Sequence, residues 1–172
     1  MPPSSDKKIV MAFGTFDYFH AGHEDYLRQA KILGDQLIVV VGRDETVKKV
    51  KGFTPGMNEK KRLRDVAACT HVDKAVLGYP EDKYYVIKKH RPHILALGYD
   101  QFAFTYGLKN FFIKENLDIE IVRLDAFEPQ TFKSSLIRNK LEGEEKLTLR
   151  IPLPDSSKAT PCAPEALTLF AD

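Results

Sequence analysis

Apolar residues never run long in this sequence. The stretch Leu37–Val41 is about as far as they go unbroken, against the roughly 20 that a membrane-spanning helix requires. The opening residues MPPSSDKK lack the apolar segment of a secretory signal, so cytoplasm is the expected compartment and no membrane partner is expected. Cysteine is scarce: Cys69 lies in a helical pattern and Cys162 in a proline-rich stretch, with no repeated spacing. That argues against a disulfide framework and for free thiols, and no Cys/His cluster has zinc spacing. Neither sign of charge prevails, because 26 Lys and Arg stand against 24 Asp and Glu, a formal net charge of +2. This balance supplies no global attraction to nucleic acid, so any anion has to be met by a local group of residues. The glycine-rich G-x-G-x-x-G fingerprint of dinucleotide sites is missing too, and no internal repeat is visible.

What remains is the composition of one globular domain: 172 residues, 43% hydrophobic and 29% charged. Short β-branched runs recur as KIVMAF (8–13), QLIVVVG (36–42), KAVLGY (74–79), ILALGY (94–99) and IEIVRL (119–124). The middle three are nearly continuous, the pattern of strands buried on both faces. Helical spacing fills the gaps: His23 to Leu33 with Gly34 as a C-terminal cap, Glu59 to Cys69 behind an Asn58 cap, Lys83 to His90, and Tyr106 to Glu115. Strands alternating with helices predict an α/β fold, a doubly wound, Rossmann-like parallel sheet of about five strands, in a domain over residues 1–141. From residue 142 to 172 prolines accumulate and periodicity fades, which reads as an extended tail.

In such a sheet ligands bind outside the carboxyl ends of the strands, and the first strand-to-helix turn is the usual phosphate site. Here that turn is GTFDYFHAGH. Gly14 lets the chain turn, Gly22 clears space near the helix start, and the helix offers unpaired N–H groups to an anion. His20 and His23, three residues apart on an opening helical turn, point to the same side. Two imidazoles there can donate to phosphate oxygens as charge builds during displacement at phosphorus. Asp17 either orients the turn or caps a local bend.

GTFD followed by HAGH resembles the H-x-G-H signature of the nucleotidyltransferase superfamily that includes glycerol-3-phosphate cytidylyltransferase and archaeal-type FAD synthetase, over about residues 8–141. The resemblance implies direct in-line attack by a substrate phosphate on the α-phosphorus of a nucleoside triphosphate, with no covalent enzyme intermediate. It implies that His20 and His23 steady the triphosphate and that Thr15 and Phe16 line the nucleotide site through their backbone. A lysine of the basic loop after strand two, Lys51, and Arg62 in the next helix would reach the phosphates; the loop would close over the triphosphate and withdraw with pyrophosphate. Magnesium would bridge triphosphate oxygens with few protein ligands.

Two further segments bear on substrate. LGYDQ ends a strand with Gly98, Tyr99, Asp100 and Gln101, where a base or ribose could be read, and it resembles the archaeal FAD synthetase version rather than the G-D-D-W of cytidylyltransferases. In FKSSLIRNKL, Ser134 and Ser135 open the last helix with hydroxyls and free N–H groups suited to phosphate. The arginine that cytidylyltransferases carry shortly before this motif is absent around Glu128 and Pro129; Lys133 or Arg123 could take its place. Phe102, Phe104, Tyr106, Phe111 and Phe112 cluster after LGYDQ, as core packing or as a stacking surface for an isoalloxazine ring. The leading expectation is transfer of AMP from ATP to FMN. The alternatives are a cytidylyltransferase using CTP and a small phosphate ester, and a non-catalytic nucleotide-binding domain. Because relatives in this superfamily are commonly dimers, a homodimer is possible.

Overall fold

The computed structural model describes residues 7–99, 101, 107–126 and 135–141. Elements alternate along the chain as β1 (Ile9–Gly14), α1 (Ala21–Ile32), β2 (Gln36–Val41), α2 (Asp44–Lys51), α3 (Glu59–Ala67), β3 (Lys74–Leu77), α4 (Tyr85–His90), β4 (Ile94–Leu97), α5 (Leu108–Glu115) and β5 (Glu120–Arg123); residues 135–141 are also helical. The five strands form one sheet in the order β3-β2-β1-β4-β5, with every described pairing parallel. This is the doubly wound sheet expected from the sequence.

Alternation along each central strand divides the core into two layers. Val10, Ala12, Leu37, Val39, Val41, Ile94 and Ala96 pack with Leu27 and Ala30 of α1 and Val66 of α3. Met11, Phe13, Ile38, Val40, Leu95 and Leu97 pack on the other face with Val86 and Ile87 of α4 and Leu108, Phe111 and Phe112 of α5. Phe111 and Phe112 are therefore core residues; Phe102, Phe104 and Tyr106 lie outside the described residues, as do Asp100, Ser134 and the whole stretch 142–172.

Three details differ from the sequence reading. The run at 74–79 is an edge strand, with Lys74 exposed and its apolar residues only half-buried, whereas β1 takes the central place. Short apolar strands look alike whether one or two neighbours flank them, so position in the sheet is not encoded in the run itself. Gly34 is not a left-handed cap: the C-cap of α1 is Leu33, in right-handed conformation. A Cβ at Gly34 would lie 2.5 Å from the Lys8 carbonyl oxygen, so the glycine is there because the chain passes close to β1. Finally, Lys48, Lys49 and Lys51 do not sit in a loop. They form the last turn of α2, with Asp44 and Glu45 in its first turn and Gly52 ending it at φ 77°, charges that complement the helix dipole at both ends.

Candidate active site

The strand order reverses between β1 and β4, and the turn after β1 stands at that switch point. Two non-glycine residues of the turn are left-handed, Phe16 at φ 55° and Tyr18 at φ 48°. Such conformations cost on the order of 1–3 kcal/mol each and persist only where the surroundings over-determine them. Here Phe16 is buried in the core, in space that a side chain at Gly14 would occupy, since a Cβ there would lie 2.7 Å from its ring. Gly14 thus makes room for Phe16, and it is not among the positive-φ residues. Asp17, also buried, accepts hydrogen bonds from the Gly56 and Met57 amides at 3.0 and 2.9 Å. Its carboxylate ties the first turn to the loop that precedes α3.

Behind this turn, His20 is the N-cap of α1, and its Nδ1 accepts from the Gly22 amide at 3.1 Å. In the neutral ring the proton is then on Nε2, which makes that nitrogen a donor. The His23 ring stacks on it, centroids 3.8 Å apart at 22°, and is flanked by Phe16 edge-on at 5.3 Å and Phe19 at 5.7 Å. Burial first, then the charges of His20 and Lys51, hold His23 down to about 3, and burial lowers His20 as well. Both rings are accordingly neutral donors at neutral pH. His23 Nδ1 is buried with no hydrogen-bond partner among the described residues, a cost that a bound anion can relieve.

The second wall is built from α2 and α3. Their N-termini cap each other: Asp44 Oδ2 accepts from the Glu59 amide at 3.1 Å, and Glu59 Oε2 accepts from the Asp44 amide at 3.0 Å. Arg43 joins the pair, reaching Glu59 Oε1 at 2.9 Å and the Gly78 carbonyl at 3.0 Å. Arg62, fully buried, donates from Nε to the Met57 carbonyl at 3.0 Å, from one terminal nitrogen to the Thr15 carbonyl at 2.5 Å, and from the other to Asp44 at 2.5 Å. From the far end of α2, Lys51 Nζ donates to Thr15 Oγ1 at 3.0 Å. Lys51, Thr15 and the histidine pair are thus brought together, while Arg62 sits beneath Thr15.

At the end of β4 the ladder with β1 stops at Ala12 and Ala96, and side chains fill the opening. Tyr26 Oη donates to the Ala96 carbonyl at 2.9 Å; the Gln101 amide donates to the Phe13 carbonyl at 2.6 Å and accepts from the Gly98 amide at 3.3 Å. Tyr99 is exposed. Of the last motif, Ser135 is exposed in the helix of residues 135–141. Sequence reasoning missed Arg138. One turn beyond Ser135, it lies 3.5 Å from Asp17 and 4.1 Å above the Phe53 ring, so a cation does reach this wall. Of the two cations offered above, Arg123 lies 3.4 Å from the Gly98 carbonyl at the end of β4, and Lys133 lies outside the described residues. The helical spacing from Ser135 to Arg138 was the available signal.

Two neutral imidazoles, a lysine and a helix N-terminus gathered beyond the carboxyl end of β1 can bind a polyphosphate and stabilise charge developing on it. The sequence profile of the cytidylyltransferase-like family matches residues 11–140. The chain belongs to the cytidylyltransferase-like family. Among curated members similar to it are proteins named FAD synthase from Thermoplasma acidophilum, 39% identical and covering 77% of this chain and 92% of that one, and from Archaeoglobus fulgidus, 44% identical over 69% and 85%. A structure titled as a lipopolysaccharide core biosynthesis protein from Thermoplasma volcanium superposes with TM-score 0.67 at 37% identity, covering 71% of this chain and 99% of that one. A pantoate-β-alanine ligase from Francisella tularensis, at 14% identity and TM-score 0.57 over 90% and 75%, shares the fold alone. This cytidylyltransferase-like chain is a nucleotidyltransferase, and no helix among its described residues is long and apolar enough to cross a membrane.

Proposed function

We propose that the protein is an FMN adenylyltransferase. A phosphate oxygen of FMN attacks the α-phosphorus of ATP, the bond from that phosphorus to the bridging oxygen breaks, and pyrophosphate leaves as FAD forms. The observation that carries this reading is identity of 38–44% to proteins named FAD synthase over 69–81% of the chain. The geometry agrees with it. The attacking phosphate is already an anion, so the step needs stabilisation of charge rather than a base, and neutral His20 and His23 supply donors for that. Lys51 stands where it can follow the leaving pyrophosphate. Magnesium enters with the triphosphate as MgATP, since the nearby Asp17 and Asp44 carboxylates are engaged by backbone amides and guanidinium groups and the ion keeps most of its water.

The test is product formation from ATP or CTP with FMN or glycerol 3-phosphate, with and without magnesium. FAD from ATP plus FMN supports the reading, and His23→Ala should cut the rate by about 10²–10³-fold without unfolding the domain. A CDP-linked product would replace FMN adenylyl transfer with cytidylyl transfer on the same site.

A further inference from the structure

We propose that Arg62 is a positioning residue of the triphosphate site and does not itself touch phosphate. The inference rests on the adenylyl-transfer reading above, and it departs from the role that family resemblance assigns to this arginine. Three observations carry it. First, the side chain is 0% exposed, and each of its three nitrogens already faces a protein acceptor: the Met57 carbonyl, the Thr15 carbonyl and the Asp44 carboxylate. The two N–H groups these contacts leave over are enclosed with the rest of the side chain, so a phosphate could reach the guanidinium only if the segments around it moved apart.

Second, those acceptors belong to three separate segments, the β1–α1 turn, the loop before α3 and the first residue of α2, so one planar guanidinium sets their spacing. Third, α2 acts as a lever. Asp44 is its first residue and Lys51 its last, about 10 Å apart along a rigid helix. Arg62 holds the Asp44 end against the Thr15 carbonyl, while Lys51 at the other end meets the Thr15 hydroxyl at 3.0 Å. The reciprocal capping of Asp44 and Glu59 prevents α2 from sliding along α3. Displacing Arg62 therefore moves Lys51, although among the described residues no hydrogen bond or ion pair joins the two side chains.

Steady-state FAD synthesis by Arg62→Lys, Arg62→Ala, Lys51→Ala and the Arg62→Lys/Lys51→Ala double variant tests this. A positioning role predicts that Lys fails to rescue: both Arg62 variants lose about 10–100-fold in kcat with the KM for ATP nearly unchanged. It also predicts that the double variant loses far less than the product of the single losses, because Lys51 is already misplaced. Near-normal turnover by Arg62→Lys with a raised KM for ATP in Arg62→Ala, or losses that multiply, would overturn it. If the Arg62 variants do not fold by circular dichroism, Asp44→Asn takes their place in the same cycle, and its wild-type behaviour would equally overturn the proposal. Histidine ring resonances give a readout that needs no acceptor molecule. His23 should remain neutral at pH 5 in the wild type and become protonated in Arg62→Lys as the turn loosens; identical titrations count against positioning even if the wild type makes no FAD, an outcome that would separately sink the adenylyl-transfer reading.

Discussion

Acid should destabilise this protein through His23, and the size of the loss follows from the surroundings of that ring. Burial, the neighbouring His20 and Lys51 hold its pKa at about 3, against 6.5 for an exposed histidine. Between those values the unfolded chain binds a proton that the folded chain refuses, so stability falls as pH drops through this window and is unaffected by His23 above it. Each unit below 6.5 removes about 1.4 kcal/mol. Going from pH 7 to pH 5 therefore removes about 2 kcal/mol, which lowers the thermal midpoint of a domain this size by roughly 4–8 °C. His20 and His90 are also lowered by burial, so the diagnostic quantity is the difference between wild type and His23→Gln. Thermal unfolding of both, followed by circular dichroism at pH 7, 6 and 5, should show the variant losing about 2 kcal/mol less across the range. Parallel pH dependences would refute the reasoning, for they would mean that His23 titrates in the folded protein as it does in the unfolded one.

The same ring predicts proton uptake on ligand binding: a triphosphate beside His20 and His23 raises their pKa values, so the calorimetric enthalpy of ATP binding near pH 6 should vary with the ionisation enthalpy of the buffer, and a buffer-independent enthalpy would contradict this. Asp17→Asn turns one acceptor into a donor facing the Gly56 or Met57 amide and should cost about 2–3 kcal/mol, read as a lower thermal midpoint together with slower turnover. Gly34→Ala places a Cβ 2.5 Å from the Lys8 carbonyl oxygen and 2.7 Å from Val10 Cγ2 and should destabilise by about 1–3 kcal/mol. Stabilisation of that variant, as expected for alanine replacing a glycine with free space around it, would show that the close approach is not what the glycine serves.

That the sheet is parallel and doubly wound follows from patterns local in the chain, although which strand lies at its edge does not. Apolar runs of the right length, each followed by a helix with one apolar face, leave few topologies open. For the same reason the His20/His23 pair was legible: both residues lie within one turn of one helix, and their spacing alone brings the rings together. Asn58 as the cap of α3 was legible as well, its Oδ1 accepting from the Lys61 amide at 2.9 Å. Helix α2 was hidden because its lysine-rich last turn and the Gly/Pro residues after it look like a solvated loop, and its single buried side chain, Val47, leaves too faint an apolar period to detect.

Arg62 marks the limit of such reading. A helix that begins Glu-Lys-Lys-Arg presents several cations, and nothing in their order tells which one turns inward. That choice is made by Asp44, eighteen residues away on another helix, and by two carbonyls on loops that meet only when the sheet has formed. The histidines can be recognised from a short signature because they act where they stand. The residues that keep them in place are spread over α2, α3 and two loops, so their roles become visible only when distances replace spacing. Residues that shape the site should consequently be recognisable by coupling: their variants should lose activity only through the groups they hold, so that removing a held group as well adds little.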